Sequence, residues 1–295
     1  MSAATIAAVL GDAKREGRGW RCRCPLHNGR SLTLRDGDAN CVLVTCWAGC
    51  DRRDVLTELR RRGLLDGRIT DYRRAPSGTS QRKDGVRTDA GRSRAALAVW
   101  HSTTPAGGTL AQNYLLSRGL HLSPPPTVRF HAGLKHPTGG IWPVMVALVT
   151  RGVDDTPLAI HRTFLARDGQ GKGPIDPQKM MLGPCRGGAV RLAAPGDVLM
   201  VGEGIETCLA AIQATGRPAW AALSTSGLCT LDLPGHIREI IVLADGDQPG
   251  AAAARDCAWR WKREGRRVRI ARPPQGMDFN DMLVGRAPRI EEGAQ

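Results

Sequence analysis

Val201-Gly202-Glu203-Gly204, Val242-Leu243-Ala244-Asp245-Gly246-Asp247 and Asp278-Phe279-Asn280-Asp281 are the pieces on which the reading of this chain turns. Each acidic piece follows, or lies just beyond, a short apolar run: Asp197 to Val201, Glu239 to Ala244, and Arg267 to Ala271. Runs of about five such residues ended by Gly or Asp read as buried parallel strands. Helical patterns lie between them, over Ile205 to Ala214 and Gly250 to Arg263. The order is therefore β-α-β-α-β, and the expected fold class is α/β with a parallel-sheet core. In an open α/β sheet, ligands sit beyond the carboxyl ends of the strands. All three acidic pieces are then expected on one edge. Carboxylates gathered without matching bases repel one another unless a divalent cation neutralises them, and Mg²⁺ is the usual hard, oxygen-seeking ion.

These pieces, in this order, resemble the Toprim domain shared by bacterial-type (DnaG-like) primases, topoisomerases and some nucleases. The resemblance runs from Asp197 to Leu283. It implies a Rossmann-like Toprim catalytic domain over 196–295. It also implies that Glu203, Asp245 and Asp247 are catalytic and, with Asp278 and Asp281, hold Mg²⁺ or Mn²⁺. Whether Glu203 ligates a metal or acts as general base stays open at this stage, and Asn280 is a polar support. A nucleotide-binding α/β domain with acidic loop residues is the plainer alternative. One position departs from the primase pattern Glu-Gly-x-x-Asp: residue 207 is Thr207, preceded by Glu206. Either Glu206 replaces the missing acid, or one metal site is weakened, or Glu206 is simply an acid favoured by the helix N-terminus.

Five of the nine cysteines fall between Cys22 and Cys50, together with His27. Cys24-Pro25-Leu26-His27 offers two ligands on one tight knuckle, and Cys46-Trp47-Ala48-Gly49-Cys50 offers two more. Cys24, His27, Cys46 and Cys50 thus make the closed tetrahedral set expected of one structural Zn²⁺. Between the pairs, Ser31 to Leu34 and Cys41 to Thr45 alternate like two strands joined at Asp36-Gly37-Asp38. Cys22 and Cys41 are spare. Cys22 lacks the Pro-x-His knuckle, and Cys41 and Cys46 are expected on opposite strand faces. A helix from Asp51 to Arg62 follows. Its basic face suits phosphates, although such a face is often only solvated. The pattern resembles the zinc finger preceding a primase Toprim region, in the phage- and plasmid-associated variant with three residues inside the second pair.

Asp66 to Arg94 loses the apolar rhythm, so 67–94 reads as a flexible linker after a zinc-ribbon DNA-binding domain over 1–66. Residues 95–195 then read as an α+β subdomain. It has helices over Ala95 to His101 and Leu110 to Ser117, and strands near Val128, over Trp142 to Val149, and over Leu158 to Phe164. Tyr114-Leu115-Leu116-Ser117-Arg118-Gly119-Leu120 and the succession Pro143, Arg162, Lys179 resemble the N-terminal half of the primase polymerase core. That resemblance assigns Arg162, Lys172 and Lys179 to phosphates of template or nucleotide; ordinary surface bases are the alternative. Gly169 to Gly173 lacks the spacing and following helix of a phosphate loop. Cys185, Cys208, Cys229 and Cys257 are scattered and read as core residues.

The chain has 295 residues, nine cysteines, net charge +14 and a pI near 10.1. That length allows two or three domains. The charge suits a polyanionic partner held against a local acidic site. No run of about 18 apolar residues exists, so no membrane partner is expected. Without an export signal at Met1 to Leu10, and with an odd cysteine count, a reducing cytoplasm is the expected location. The whole resembles a primase-like enzyme that makes short RNA primers on a single-stranded DNA template from NTPs, serving a replicative helicase in trans, in a phage, plasmid or other mobile element. The rivals are a Toprim metal-dependent nuclease and a non-catalytic zinc-ribbon DNA-binding accessory protein. A topoisomerase would want a tyrosine nucleophile, and only Tyr72 and Tyr114 exist.

Overall fold

Apolar residues at helical and strand spacing build each of two units, Met1–Ser80 and Gln81–Gln295. The computed structural model describes residues 1–17, 19–26, 28–37, 42–46, 50, 52–65, 80–244, 248–274 and 277–285 (backbone alone over 80–88 and 248–253).

The first unit opens with helix α1 (Ala3–Leu10), which buries Ala3, Ile6, Ala7 and Leu10 along one stripe. A four-stranded antiparallel sheet follows in simple order: β1 (Lys14–Glu16), β2 (Gly19–Cys22), β3 (Leu32–Asp36) and β4 (Val42–Cys46). The expected hairpin is β3 and β4, with Leu34 opposite Val44. Both side chains are buried with α1 and with Val55 and Leu59 of helix α2 (Arg52–Arg61). Helix α1 and strands β1 and β2 are additions to the sequence reading. Part of the basic face of α2 is committed internally. Arg61 and Arg62 both pair with Glu58, at 2.7 and 2.8 Å, and Arg62 donates to the Pro25 carbonyl at 2.9 Å.

The second unit begins with helix α3 (Ser80–His101). The helix therefore extends through residues 80–94, which the sequence reading gave to the linker. Its last turns are anchored where Ala96, Val99 and Trp100 pack under the following sheet. Once such a helix is nucleated, each added residue costs little, and Arg, Lys, Gln and Ala propagate it well. The rest of the expected linker, 67–79, lies outside the described residues.

Strand β5 (Thr104–Pro105), helix α4 (Leu110–Ser117), β6 (Val128–Lys135), β7 (Ile141–Arg151), β8 (Pro157–Phe164), β9 (Lys179–Leu182) and β10 (Gly188–Arg191) follow. The expected hairpin of β7 and β8 is present, with Ala147 opposite His161. Next come β11 (Val198–Gly202), α5 (Ile205–Thr215), β12 (Ala219–Ala221), α6 (Thr225–Thr230), β13 (Glu239–Leu243), α7 (Gln248–Arg263), β14 (Arg267–Ala271) and α8 (Phe279–Leu283). β12, β11, β13 and β14 are parallel neighbours; β11, β13 and β14 are the three expected from their sequence runs, and β12 is an addition. β10 pairs antiparallel with both β12 and β7. One ten-stranded sheet, β14-β13-β11-β12-β10-β7-β6-β5 with β8 and β9 off β7, therefore runs through both stretches expected as 95–195 and 196–295.

Period-two alternation divides the sheet's two faces. Met200, Leu243 and Ala219 pack with α4 and α5, while Leu199, Val201, Ile240 and Val242 pack against Trp220 and the α7 residue Trp261. Each such fully buried side chain contributes roughly 2 kcal/mol of transfer free energy. Among the described residues, no helix is long and apolar enough to cross a membrane.

Candidate functional site

The parallel strands end flush. Gly202 of β11 is level with Ala221 of β12 and Leu243 of β13, and Leu243 is level with Ala271 of β14. Glu203 is the next residue after β11, and its carbonyl accepts the Leu223 N–H at 2.9 Å. Leu223 itself holds φ +70, a left-handed conformation that costs a branched side chain on the order of 1–3 kcal/mol. Across the sheet, Ala244 donates to the Ala271 carbonyl at 3.0 Å, so the chain leaves β13 at the same level. Asp245 and Asp247 follow at once and lie outside the described residues.

Asp278 and Asp281 sit beyond β14 at the start of α8. Asp278 is the N-cap, half-exposed, and its Oδ2 lies 4.0 Å from the Arg118 guanidinium. Asp281 is buried and reaches back to the Asp278 backbone. Asn280 is also buried, and neither of its amide atoms has a hydrogen-bond partner among the described residues.

Basic residues come to this same edge from the other half of the unit. Lys179, which opens β9, places its ammonium 3.0 Å from Glu206 in the first turn of α5. Tyr114 of α4 donates its hydroxyl to the other Glu206 oxygen at 2.6 Å. Burial alone would push the Glu206 carboxyl up. The Lys179 charge, the Tyr114 hydroxyl and the helix backbone outweigh it and hold the carboxyl down at about 2. Tyr114 moves up, first by burial and then by the neighbouring carboxylate.

The Lys172 ammonium is lowered from the usual lysine value by loss of water around it. The positive Lys179 beside it lowers it further, and Arg118, Glu206 and Asp278 also act on it. Lys179 thus meets the first turn of α5 and Arg118 the N-cap of α8, and Lys172 feels both bases and both of their acids. His161 is buried under this group. Burial, then Lys179, pushes its imidazole down to about 4, so it is neutral near pH 7.

Arg162 is not brought to this group. Strand alternation puts it on the face opposite His161 and Thr163, where its guanidinium lies 5.9 Å from the Phe164 ring and donates to the Met181 carbonyl at 3.2 Å. Arg118 was missed as a site residue, although it lies inside the quoted Tyr114 to Leu120 segment. Nothing local marks it; only the contact with Asp278, 160 residues on, does.

In the first unit, the sulfurs of Cys24, Cys46 and Cys50 all lie within 4.8 Å of one another. Cys24 and Cys50 are 3.9 Å apart, close to the roughly 3.8 Å that two 2.3 Å Zn–S bonds span in a tetrahedron. This cluster fits a zinc ribbon. The fourth expected ligand, His27, and the spare Cys41 lie outside the described residues. Cys22 is buried apart from the cluster, and burial pushes its thiol up to about 11. Cys208 and Cys257 are core residues, as expected, and Cys185 and Cys229 are partly buried against core clusters.

A strand-cleaving tyrosine finds no support in Tyr114, which is 1% exposed and bonded to Glu206. Tyr72 lies outside the described residues.

Residues 198–288 match the sequence model of the Toprim domain, and residues 90–192 match that of a domain of unknown function, DUF7146. No curated protein matches the chain. Similar solved structures include a DNA primase domain from Pseudomonas aeruginosa, at 20% identity, 62% of this chain, 59% of that chain and TM-score 0.37. The Aquifex aeolicus primase (zinc-binding and RNA polymerase domains) is similar at 13% identity over 97% of this chain and 80% of that one, TM-score 0.40. The primase fragment of the bacteriophage T7 primase-helicase protein is similar at 16% identity, 62% and 69%, TM-score 0.39.

Proposed function

We propose that this chain is a primase-like nucleotidyltransferase that makes short RNA primers on single-stranded DNA from NTPs. One observation carries the reading. The acids Glu203 and Asp278 of the stretch that matches the Toprim domain stand at the carboxyl ends of the parallel strands, and the bases Lys172, Lys179 and Arg118 of the preceding stretch come to the same place. A triphosphate needs both signs there: bases for its charge, and carboxylates for the cations that travel with it.

Glu203, Asp245 and Asp247 would hold Mg²⁺ or Mn²⁺, with Asp278 and Asp281 completing the set. The donors are all hard carboxylate oxygens, which suits either ion. An ion held by these carboxylates would supply the lowered pKa of the primer 3′-hydroxyl and the neutralisation of the phosphates. The chain's own part is to position. Lys172 and Lys179 take phosphate oxygens of the incoming nucleotide, and Arg118 bridges from them to Asp278. Neutral His161 fills the floor beneath without adding charge. Arg162, on the opposite face of the sheet, stays outside this role. Cys24, Cys46 and Cys50, with His27, would hold Zn²⁺ and so fix the small antiparallel unit, whose basic surface would face DNA phosphates.

The cytoplasm is the proposed location, and a replicative helicase supplied in trans is the proposed partner, in keeping with a mobile-element role. The test is template-directed synthesis on single-stranded DNA. Labelled oligonucleotides made from NTPs support the reading. Metal-dependent shortening of the template without synthesis would replace it with a nuclease.

A further inference from the structure

The acid at Glu206 stands where sequence reasoning left three roles open. Both of its carboxylate oxygens are in use: Oε1 accepts from Tyr114 at 2.6 Å and Oε2 from Lys179 at 3.0 Å. The side chain is 10% exposed and sits in the first turn of α5, while the neighbouring Thr207 is buried too. Each oxygen keeps a lone pair, but a metal ion bound there would have to enter a nearly closed space and sit against the Lys179 ammonium, which is already 3.0 Å from the carboxylate. Two cations so close, with little water between them, repel strongly.

The Lys179 side chain is different: it is 36% exposed, and an ammonium has three donors, of which Glu206 takes one. Lys179 therefore keeps donors for a ligand while its direction is set from below. Lys172 and Arg118 are near enough to act on one another, with Glu206 and Asp278, the latter 4.0 Å from Arg118, as opposing charges.

We infer that Glu206 is a positioning residue, not a metal ligand: with Tyr114 behind it, it holds Lys179 aimed at the triphosphate of the incoming nucleotide. This rests on the primase-like reading, which supplies the triphosphate. It also accounts for Thr207, since the carboxylate of the first turn serves the basic side of the site and leaves the metal set to Glu203 and the later aspartates. Tyr114 comes from the stretch that matches the domain of unknown function and Glu206 from the Toprim stretch, so the contact fastens the two matched stretches at the place where the ligand binds.

The experiment is a binding cycle on the full chain with a fluorescent ATP analogue and Mg²⁺. The variants are Glu206→Gln, Lys179→Ala and the double variant, with Glu203→Gln as the metal control and circular dichroism to confirm folding. We expect Lys179→Ala to weaken binding about tenfold, as one lost charge-assisted contact does, and Glu206→Gln to weaken it about threefold to tenfold. The double variant should bind no worse than Lys179→Ala alone, because both changes remove the same contact.

At fixed nucleotide, the half-saturating Mg²⁺ concentration should stay unchanged in Glu206→Gln and rise in Glu203→Gln. Should Glu206→Gln fail to fold, Tyr114→Phe keeps both charges and should weaken binding about twofold to threefold with no change in Mg²⁺ requirement. Additive losses, a Mg²⁺ shift in Glu206→Gln as large as in Glu203→Gln, or unchanged binding in Tyr114→Phe and Glu206→Gln would overturn the inference. A wild-type chain that binds no triphosphate would sink the primase-like reading first, and the inference with it. That outcome is visible before any variant is compared.

Discussion

Asp278 and Asp281 close the start of α8 on each other: the Asp278 carboxylate accepts the Asp281 N–H at 2.6 Å, and the Asp281 carboxylate accepts the Asp278 N–H at 3.3 Å. Two acids read from the sequence as metal ligands therefore also form a reciprocal helix cap. The two jobs separate by substitution. Asp278→Asn keeps a good cap and removes the charge, whereas Asp278→Ala removes both. Asp278→Ala should lower stability by about 1 kcal/mol in denaturant, and Asp278→Asn by much less. Both should raise the Mg²⁺ needed for activity by a similar factor. Equal loss of stability in the two variants would contradict the cap.

The sulfur cluster of the first unit gives a second expectation. The purified chain should carry one Zn²⁺ by elemental analysis, and Cys50→Ser should carry none. Cys22→Ala, which changes a buried thiol outside the cluster, should keep its zinc. Chelation should melt the sheet of the first unit and leave the second unit's own transition in place, because ion binding is part of the folding free energy of such small domains. Zinc retained in Cys50→Ser would contradict the ligand set.

Glu206 predicts a pH dependence whose sign is set by its depressed carboxyl. The folded-state value is about 2, below the ordinary carboxylate value of 4.5. A group lowered on folding adds stability above its unfolded pKa and loses it as pH falls toward the folded one. Wild type should therefore exceed Glu206→Gln by an amount on the order of 3 kcal/mol near pH 7, and the gap should shrink between pH 4.5 and pH 2. Urea titrations of both proteins across that window measure it. A gap that stays constant with pH would mean that the carboxylate is not held as described.

Gly227 supplies a backbone test. A Cβ there would stand 1.9 Å from the Ala222 carbonyl oxygen, which belongs to the turn leaving β12. Gly227→Ala must push α6 away from that turn and strain the Ser224 cap that now accepts the Gly227 N–H at 2.9 Å. Overpacking of this kind costs typically 1–3 kcal/mol, so the denaturation midpoint should fall accordingly. An unchanged midpoint would show that the turn can yield.

Legibility followed the range of the interactions. β11 and β13 were readable because each is an apolar run closed by Gly or Asp, β14 because Val268 and Ile270 alternate with Arg267 and Arg269, and α4 because Thr109 caps Leu110 to Ser117 and Gly119 ends it. β12 was not, since three residues, Ala219 to Ala221, hold no period; neighbours on both sides make them a strand. β10 likewise gains its strand character from pairing with β7 and β12. Helix α1 is too short for its apolar stripe to stand out from an Ala-rich start.

The places of Glu203, Asp278 and Asp281 were legible because they follow strands. The contacts of Glu206 and Arg118 were not. Glu206 meets Tyr114 across 92 residues of chain, and Arg118 meets Asp278 from a different element; no local pattern carries either contact.

The most direct test of the account is primer synthesis by the full chain on single-stranded DNA, with labelled ATP, the other NTPs, and Mg²⁺ or Mn²⁺, beside Glu203→Gln and Asp245→Asn. The account predicts short labelled oligonucleotides from the wild type and their loss in both variants, with template binding retained. Products of equal length and yield from Glu203→Gln, or no product from the wild type under conditions where it binds template and nucleotide, would contradict it.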